Sequence, residues 1–177
     1  ADDRTVFLGG RPGSFRSTDA GATWNQMYGG LPPDGRCTRI IASPDFVNDR
    51  TIFHASSFDG VHRSQDGGDT WTSIGLGQAE IRAMAVSPDF PNDRTVFVHV
   101  NWNGLFRSTD AGDSWQLAST GMPIAQVMEG LDLSPDYATD RTAFAALGSG
   151  AVFRTTDGGD SWEDVSGVLP PVSARAL

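Results

Sequence analysis

Ser108-Thr109-Asp110-Ala111-Gly112-Asp113-Ser114-Trp115 is one of four copies of the same octet in this chain. Residues 17–24, 64–71 and 155–162 repeat it as Ser/Thr-x-Asp-x-Gly-x-x-Trp, and Trp24, Trp71, Trp115 and Trp162 follow one another at intervals of 47, 44 and 47 residues. Self-similarity at a fixed period of this length marks a repeat architecture. The chemistry of the octet is that of a turn. Its Asp (Asp19, Asp66, Asp110, Asp157) can accept hydrogen bonds from backbone N–H groups a residue or two ahead, and its Gly (Gly21, Gly68, Gly112, Gly159) supplies a positive φ that other residues resist. The Trp then opens the next strand. All four rings are expected to be equivalent and buried between neighbouring units, each with its N–H paired.

Working outward, each octet follows a short strand ending in Arg: residues 14–16, 61–63, 105–107 and 152–154. Further upstream lies an Asp-Arg-Thr-x-Phe run of strand character, at 3–8, 49–54, 93–98 and 140–145. Ser-Pro-Asp-Phe/Tyr precedes three of these runs, at 43–46, 87–90 and 134–137, where Pro ends a strand and Asp supplies an Asx-type turn. An apolar run stands ahead of each Ser-Pro-Asp, at 38–42, 82–86 and 129–133. One unit therefore holds four antiparallel strands in about 45 residues, the design of a propeller blade.

The octets resemble the Asp-box, or BNR, repeat of β-propeller proteins. That family includes sialidases, some xyloglucan-degrading enzymes, sortilin-type receptors and a photosystem assembly factor. The resemblance covers nearly the whole chain and implies an all-β fold: an antiparallel β-propeller of four Asp-box blades, residues 1–177 forming a single domain. It implies little about function, because family members use the box as a fold element and do unrelated things. The closing segment, residues 172–177, resembles 79–84 and reads as a blade's first strand, whereas residues 3–8 lack one. These two segments should pair, within one chain or between chains. A closed four-bladed ring, a section of a larger ring such as two chains paired into eight blades, and an open head-to-tail series all use the same strands, and self-association through residues 1–8 and 172–177 follows from the last two.

Composition excludes several function classes. With 13 Lys+Arg against 22 Asp+Glu, the net charge is −9, which disfavours nucleic acid and anionic membranes as partners. No run approaches the roughly 18 apolar residues of a membrane helix, so no membrane insertion is expected. Cys37 is the only cysteine, which rules out an internal disulfide. The chain opens at Ala1 without Met, which fits a processed secreted protein, an excised domain or a partial chain; an extracellular or cell-surface location is expected.

The repeat accounts for eight of the 13 Arg and most of the Asp, so candidate contacts are sought among the remaining residues. In Asp-box propellers the boxes lie on one face and ligands on the other. Here that second face carries the loops at 10–13, 56–60 and 101–104, and hence Arg11, Phe58, Asn101, Trp102 and Asn103. Trp102 is the one Trp outside an octet, and a ring beside two amides suits a sugar or peptide. His54 and His99, read as equivalent positions of adjacent repeats, form no metal-ligand set with His62. No catalytic residues, metal or cofactor are assigned. The sialidase pattern is incomplete: Tyr28 and Tyr137 are the only tyrosines, and residues 38–41 lack the Pro of the Arg-Ile-Pro motif. Glu80, Glu129 and Asp132 are the carboxylates a glycosidase reading would use. The expected function is a non-catalytic scaffold or binding module for a protein or glycan, with a carbohydrate-active enzyme as the alternative.

Overall fold

The computed structural model describes residues 4–32 and 35–168. Every sheet is an antiparallel meander in which strands pair in chain order. The chain divides into two compact units, Ala1–Ile81 and Arg82–Leu177.

The first unit carries two sheets. One is β1 (Val6–Gly10), β2 (Gly13–Ser17) and β3 (Asn25–Met27); the other is β4 (Cys37–Ala42), β5 (Ile52–Ser56), β6 (Val61–Ser64) and β7 (Thr72–Ser73). The β5 run is buried along its whole length because one face meets the first sheet and β-branched and aromatic side chains fill it. Met27, Leu31, Phe46, Ile52 and Trp71 form the core of this unit, with Phe7, Ile40 and Ala42 packed against it. The second unit carries β8 (Ile81–Val86), β9 (Val96–Val100), β10 (Gly104–Ser108) and β11 (Gln116–Leu117), then β12 (Met128–Leu133), β13 (Ala143–Leu147), β14 (Val152–Thr155) and β15 (Glu163–Asp164). Its core joins Phe97, Leu105 and Ala118 of the earlier sheet to Tyr137, Ala145, Phe153 and Trp162 of the later one.

Each Ser-Pro-Asp-Phe/Tyr turn winds into one turn of helix: α1 (Phe46–Asp49), α2 (Phe90–Asp93) and α3 (Tyr137–Asp140). The Asp of Ser-Pro-Asp does not make the turn expected of it. Ser43 Oγ accepts from the Asp45 N–H at 3.1 Å and donates to Asp49 Oδ2 at 2.5 Å, while Asp49 Oδ1 accepts from Thr51 N–H at 2.8 Å. The Asp of the Asp-Arg pair thus closes the turn, and the following Arg sits in the left-handed region at φ 54°, 51° and 54° for Arg50, Arg94 and Arg141. Its carbonyl accepts from the octet of the same sheet, as in Gly67 N–H to Arg50 O at 3.0 Å.

The octet tryptophans are not equivalent. Trp71 and Trp162 are buried, Trp115 is half-buried, and Trp24 is 41% exposed. The reason is the neighbouring sheet. The Trp71 backbone N–H donates to Gly29 O at 2.7 Å and its ring joins the cluster of Met27 and Leu31, while Trp162 Nε1 donates to Ala118 O at 2.9 Å, so the preceding sheet of the unit covers each ring. Among the described residues no preceding sheet covers Trp24. The first sheet likewise has three described strands. The expected pairing of residues 3–8 with residues 172–177 lies outside the described residues.

Candidate functional site

The octets are self-contained clamps. In the first, Ser17 Oγ accepts from Gly21 N–H at 2.8 Å and donates to Asp19 Oδ1 at 2.7 Å, and Asp19 accepts from Thr23 N–H at 2.8 Å and Thr23 Oγ1 at 2.6 Å. Ser64/Asp66/Gly68/Thr70, Ser108/Asp110/Gly112/Ser114 and Thr155/Asp157/Gly159/Ser161 repeat the pattern. The Asp therefore reaches four residues ahead, further than the one or two expected, because the first hydroxyl takes the nearer amides. Hydrogen bonds from the Thr23 hydroxyl and amide hold Asp19 down at about 2, and those from Ser114 and Ser108 hold Asp110 there too. At Asp66, desolvation opposes the Thr70 and Ser64 donors, which prevail and bring it to about 2; Ser161 holds Asp157 lower still. All four carboxylates are occupied by their own turns.

The candidate contact residues fall in both units. In the first, Arg11 lies exposed in the β1–β2 turn and Phe58, 69% exposed, caps the β5–β6 loop. Ser56 Oγ shapes that loop by accepting from Asp59 N–H at 2.8 Å. In the second unit Asn101, Trp102 and Asn103 form the β9–β10 hairpin turn, closed by Asn103 N–H to Val100 O at 3.0 Å. Trp102 is 61% exposed and held at φ 64°. A large aromatic in the left-handed region carries a cost of about 1–2 kcal/mol that Gly or Asn would lessen. Behind it, a Cβ on Gly104 would lie 2.6 Å from Ser119 Oγ, 3.2 Å from Ile124 and 3.3 Å from Leu117. Gly104 thus allows the hairpin to close against two exposed apolar side chains, Leu117 and Ile124. The hairpin thus carries an exposed indole at its turn. Sequence reasoning missed Leu117 and Ile124, which carry no signal of their own.

The three histidines are buried. His54 and His62 face each other across β5 and β6, and His54 Nε2 lies 3.1 Å from Ser14 Oγ. His99 faces Leu105 in the β9–β10 register, one step out of phase with His54, which corrects the equivalence expected from the sequence. Burial pushes His54 and His99 down to about 4 and lowers His62. Among the described residues no set of three or more His, Cys, Asp or Glu is placed to hold a metal. Tyr137 is buried and donates to Gly158 O at 3.0 Å; Tyr28 is exposed and donates to Gln26 Oε1 at 2.5 Å. Glu129 and Asp132 are exposed on β12 and Glu80 is half-buried ahead of β8. No described helix is long and apolar enough to cross a membrane, which says nothing of strands.

No family model matches the chain, and no curated protein does. Solved structures do. The GH74 enzyme of Niastella koreensis superposes with a TM-score of 0.73 at 21% identity over 92% of this chain and 27% of that one. The GH74 xyloglucanase from Xanthomonas campestris gives 0.70 at 19% over 92% and 28%. An auxiliary nutrient binding protein from Bacteroides thetaiotaomicron gives 0.65 at 11% over 92% and 39%. The fold is a β-propeller. The four meanders are its blades, and the chain spans about a quarter of the length of the GH74 structures. Likeness at this identity carries the fold and no activity.

Proposed function

We propose that the chain is a non-catalytic, extracellular binding module built from Asp-box blades, with residues 1–177 belonging to one propeller domain. Asn101, Trp102 and Asn103 form its principal contact with a protein or glycan, and Arg11 and Phe58 are further contact residues. The observation that carries this reading is Trp102: an exposed indole kept in a left-handed turn position. Backbone strain retained at an exposed aromatic is what a preorganised contact needs and what stability alone would remove. Pairing of residues 3–8 with residues 172–177 belongs to the same proposal.

The test is a screen of oligosaccharides and peptides by calorimetry, followed by Trp102→Ala against the best ligand. A loss of at least about tenfold in affinity with unchanged unfolding midpoint is expected. Hydrolysis of xyloglucan or a sialoside by the purified chain would replace this reading with the carbohydrate-active one, and binding indifferent to Trp102 would remove the site.

A further inference from the structure

Beside the second octet the repeat breaks its own pattern. Two residues before each octet stand Phe15, His62, Phe106 and Phe153, and three before stand Ser14, Val61, Leu105 and Val152. Directly across from the first set lie Leu8, His54, Val98 and Ala145. Three sheets thus pair an aliphatic residue with Phe at this place, and the second sheet pairs two histidines. The first sheet meets them with Ser14, where the others carry Val or Leu. All three polar residues are buried, at 2% exposure for His54, 6% for His62 and 1% for Ser14. Imidazoles buried where the repeat calls for apolar groups cost stability unless something uses their nitrogens.

The hydrogen bonds behind His54 run one way. The Arg39 carbonyl can only accept, so the Cys37 thiol donates to it at 3.3 Å. With its one proton so engaged, the thiol accepts from the Ser14 hydroxyl, and Ser14 Oγ in turn accepts from His54 Nε2–H at 3.1 Å. His54 is therefore the tautomer whose Nδ1 carries a lone pair. Neither this Nδ1 nor Nδ1 of His62 has a hydrogen-bond partner among the described residues. A ring anchored through one nitrogen with the other left bare is the usual preparation of a metal-ligand histidine. Burial pushes His54 down to about 4 and lowers His62, so both rings are neutral at pH 7.

We propose that His54 and His62 bind one monovalent copper ion between them, each through Nδ1, with Ser14 holding His54 in its ligand tautomer. The ring centroids are 6.2 Å apart and the planes meet at 75°. Two imidazoles on one cation, each nitrogen about 2 Å from it, place their centroids about 5 Å apart at a tetrahedral angle and about 6.4 Å apart when collinear. The observed separation is near the collinear limit, the geometry of a d10 monovalent ion with two ligands. Zinc would need further ligands, and among the described residues no third His, Cys, Asp or Glu is placed to complete a set. Magnesium and calcium take oxygen, whereas imidazole suits copper. The site lies in the first unit and does not rest on the hairpin at Trp102.

The probe is Cu+ alone, delivered without oxygen to the isotope-labelled full chain against a chromophoric chelator, with histidine ring signals followed by NMR. One equivalent should bind and shift His54 and His62 while leaving His99 in place. His62→Phe restores the residue of the other three sheets, so the fold is kept while binding weakens at least about 100-fold. Ser14→Ala should weaken it about tenfold by freeing the tautomer. Cys37→Ser, whose hydroxyl can donate to the Arg39 carbonyl in place of the thiol, should still hold one ion. No binding by one equivalent, binding that survives His62→Phe, or Zn2+ held more tightly than Cu+ would overturn the proposal. So would loss of the ion in Cys37→Ser, since the thiol would then be its ligand.

Discussion

Trp71→Ala and Trp24→Ala together isolate what a neighbouring blade contributes, because the two residues share an octet position and a unit. Their local hydrogen bonds are the same: Trp71 Nε1 donates to Gly68 O and Trp24 Nε1 to Gly21 O, both at 3.1 Å. That bond cancels in the comparison. What differs is cover, with Trp24 at 41% exposure and Trp71 at 6%, packed against Met27, Leu31, Phe46 and Ile52 and edge-on to His54 at 5.7 Å. The difference is about a third of the residue's surface, or ~90 Å² of the roughly 250 Å² a large aromatic buries, which at ~25 cal/mol per Å² is ~2 kcal/mol. Trp71→Ala should therefore cost about 3–5 kcal/mol and Trp24→Ala about 2 kcal/mol less. Urea titration followed by far-ultraviolet circular dichroism measures both in the same background. Equal losses, or the larger loss at Trp24, would refute the argument that the preceding blade buries the ring.

Acidification should destabilise the protein in two stages. His54 and His99 are neutral in the fold and take up protons near pH 4 against about 6.5 when unfolded, so stability falls as pH drops through that window. The octet carboxylates contribute stability above their unfolded value of about 4, lost as pH falls toward 2. Thermal melts between pH 7 and pH 2 should show both steps, and His54→Gln should flatten the first. Trp102→Gly should raise stability by about 1 kcal/mol by relieving the left-handed turn while removing ligand binding; a destabilised variant would contradict the strain argument. Deleting residues 172–177 should lower the melting temperature or change the size measured by light scattering, and no change in either would remove the proposed seam.

The octet, the strand before it and the Thr-x-Phe run were legible because each is local chemistry repeated in register. Hydroxyl, Asp and Gly at fixed spacing can close only one kind of turn, and four copies of it leave little room for another fold. What the sequence hid depends on neighbours. Trp24 and Trp71 close the same octet pattern and differ in cover, which comes from another blade and not from the octet itself. Phe144 reads like Phe97, yet it is 36% exposed where Phe97 is fully buried. The left-handed turn at Trp102 was hidden differently. Asn101 and Asn103 both favour such a conformation, and only the closed hairpin shows that the Trp between them adopts it.

One hydroxyl-clamped turn is built four times in this chain. Amide exchange at Gly21, Gly68, Gly112 and Gly159 tests it most directly, since each N–H is held by a Ser or Thr Oγ at 2.8, 2.8, 2.7 and 2.9 Å. All four amides should be protected in the native protein, and each should lose protection when its own Ser17, Ser64, Ser108 or Thr155 is changed to Ala. Four amides exchanging at the rate of an open chain, or protection indifferent to those hydroxyls, would contradict the account.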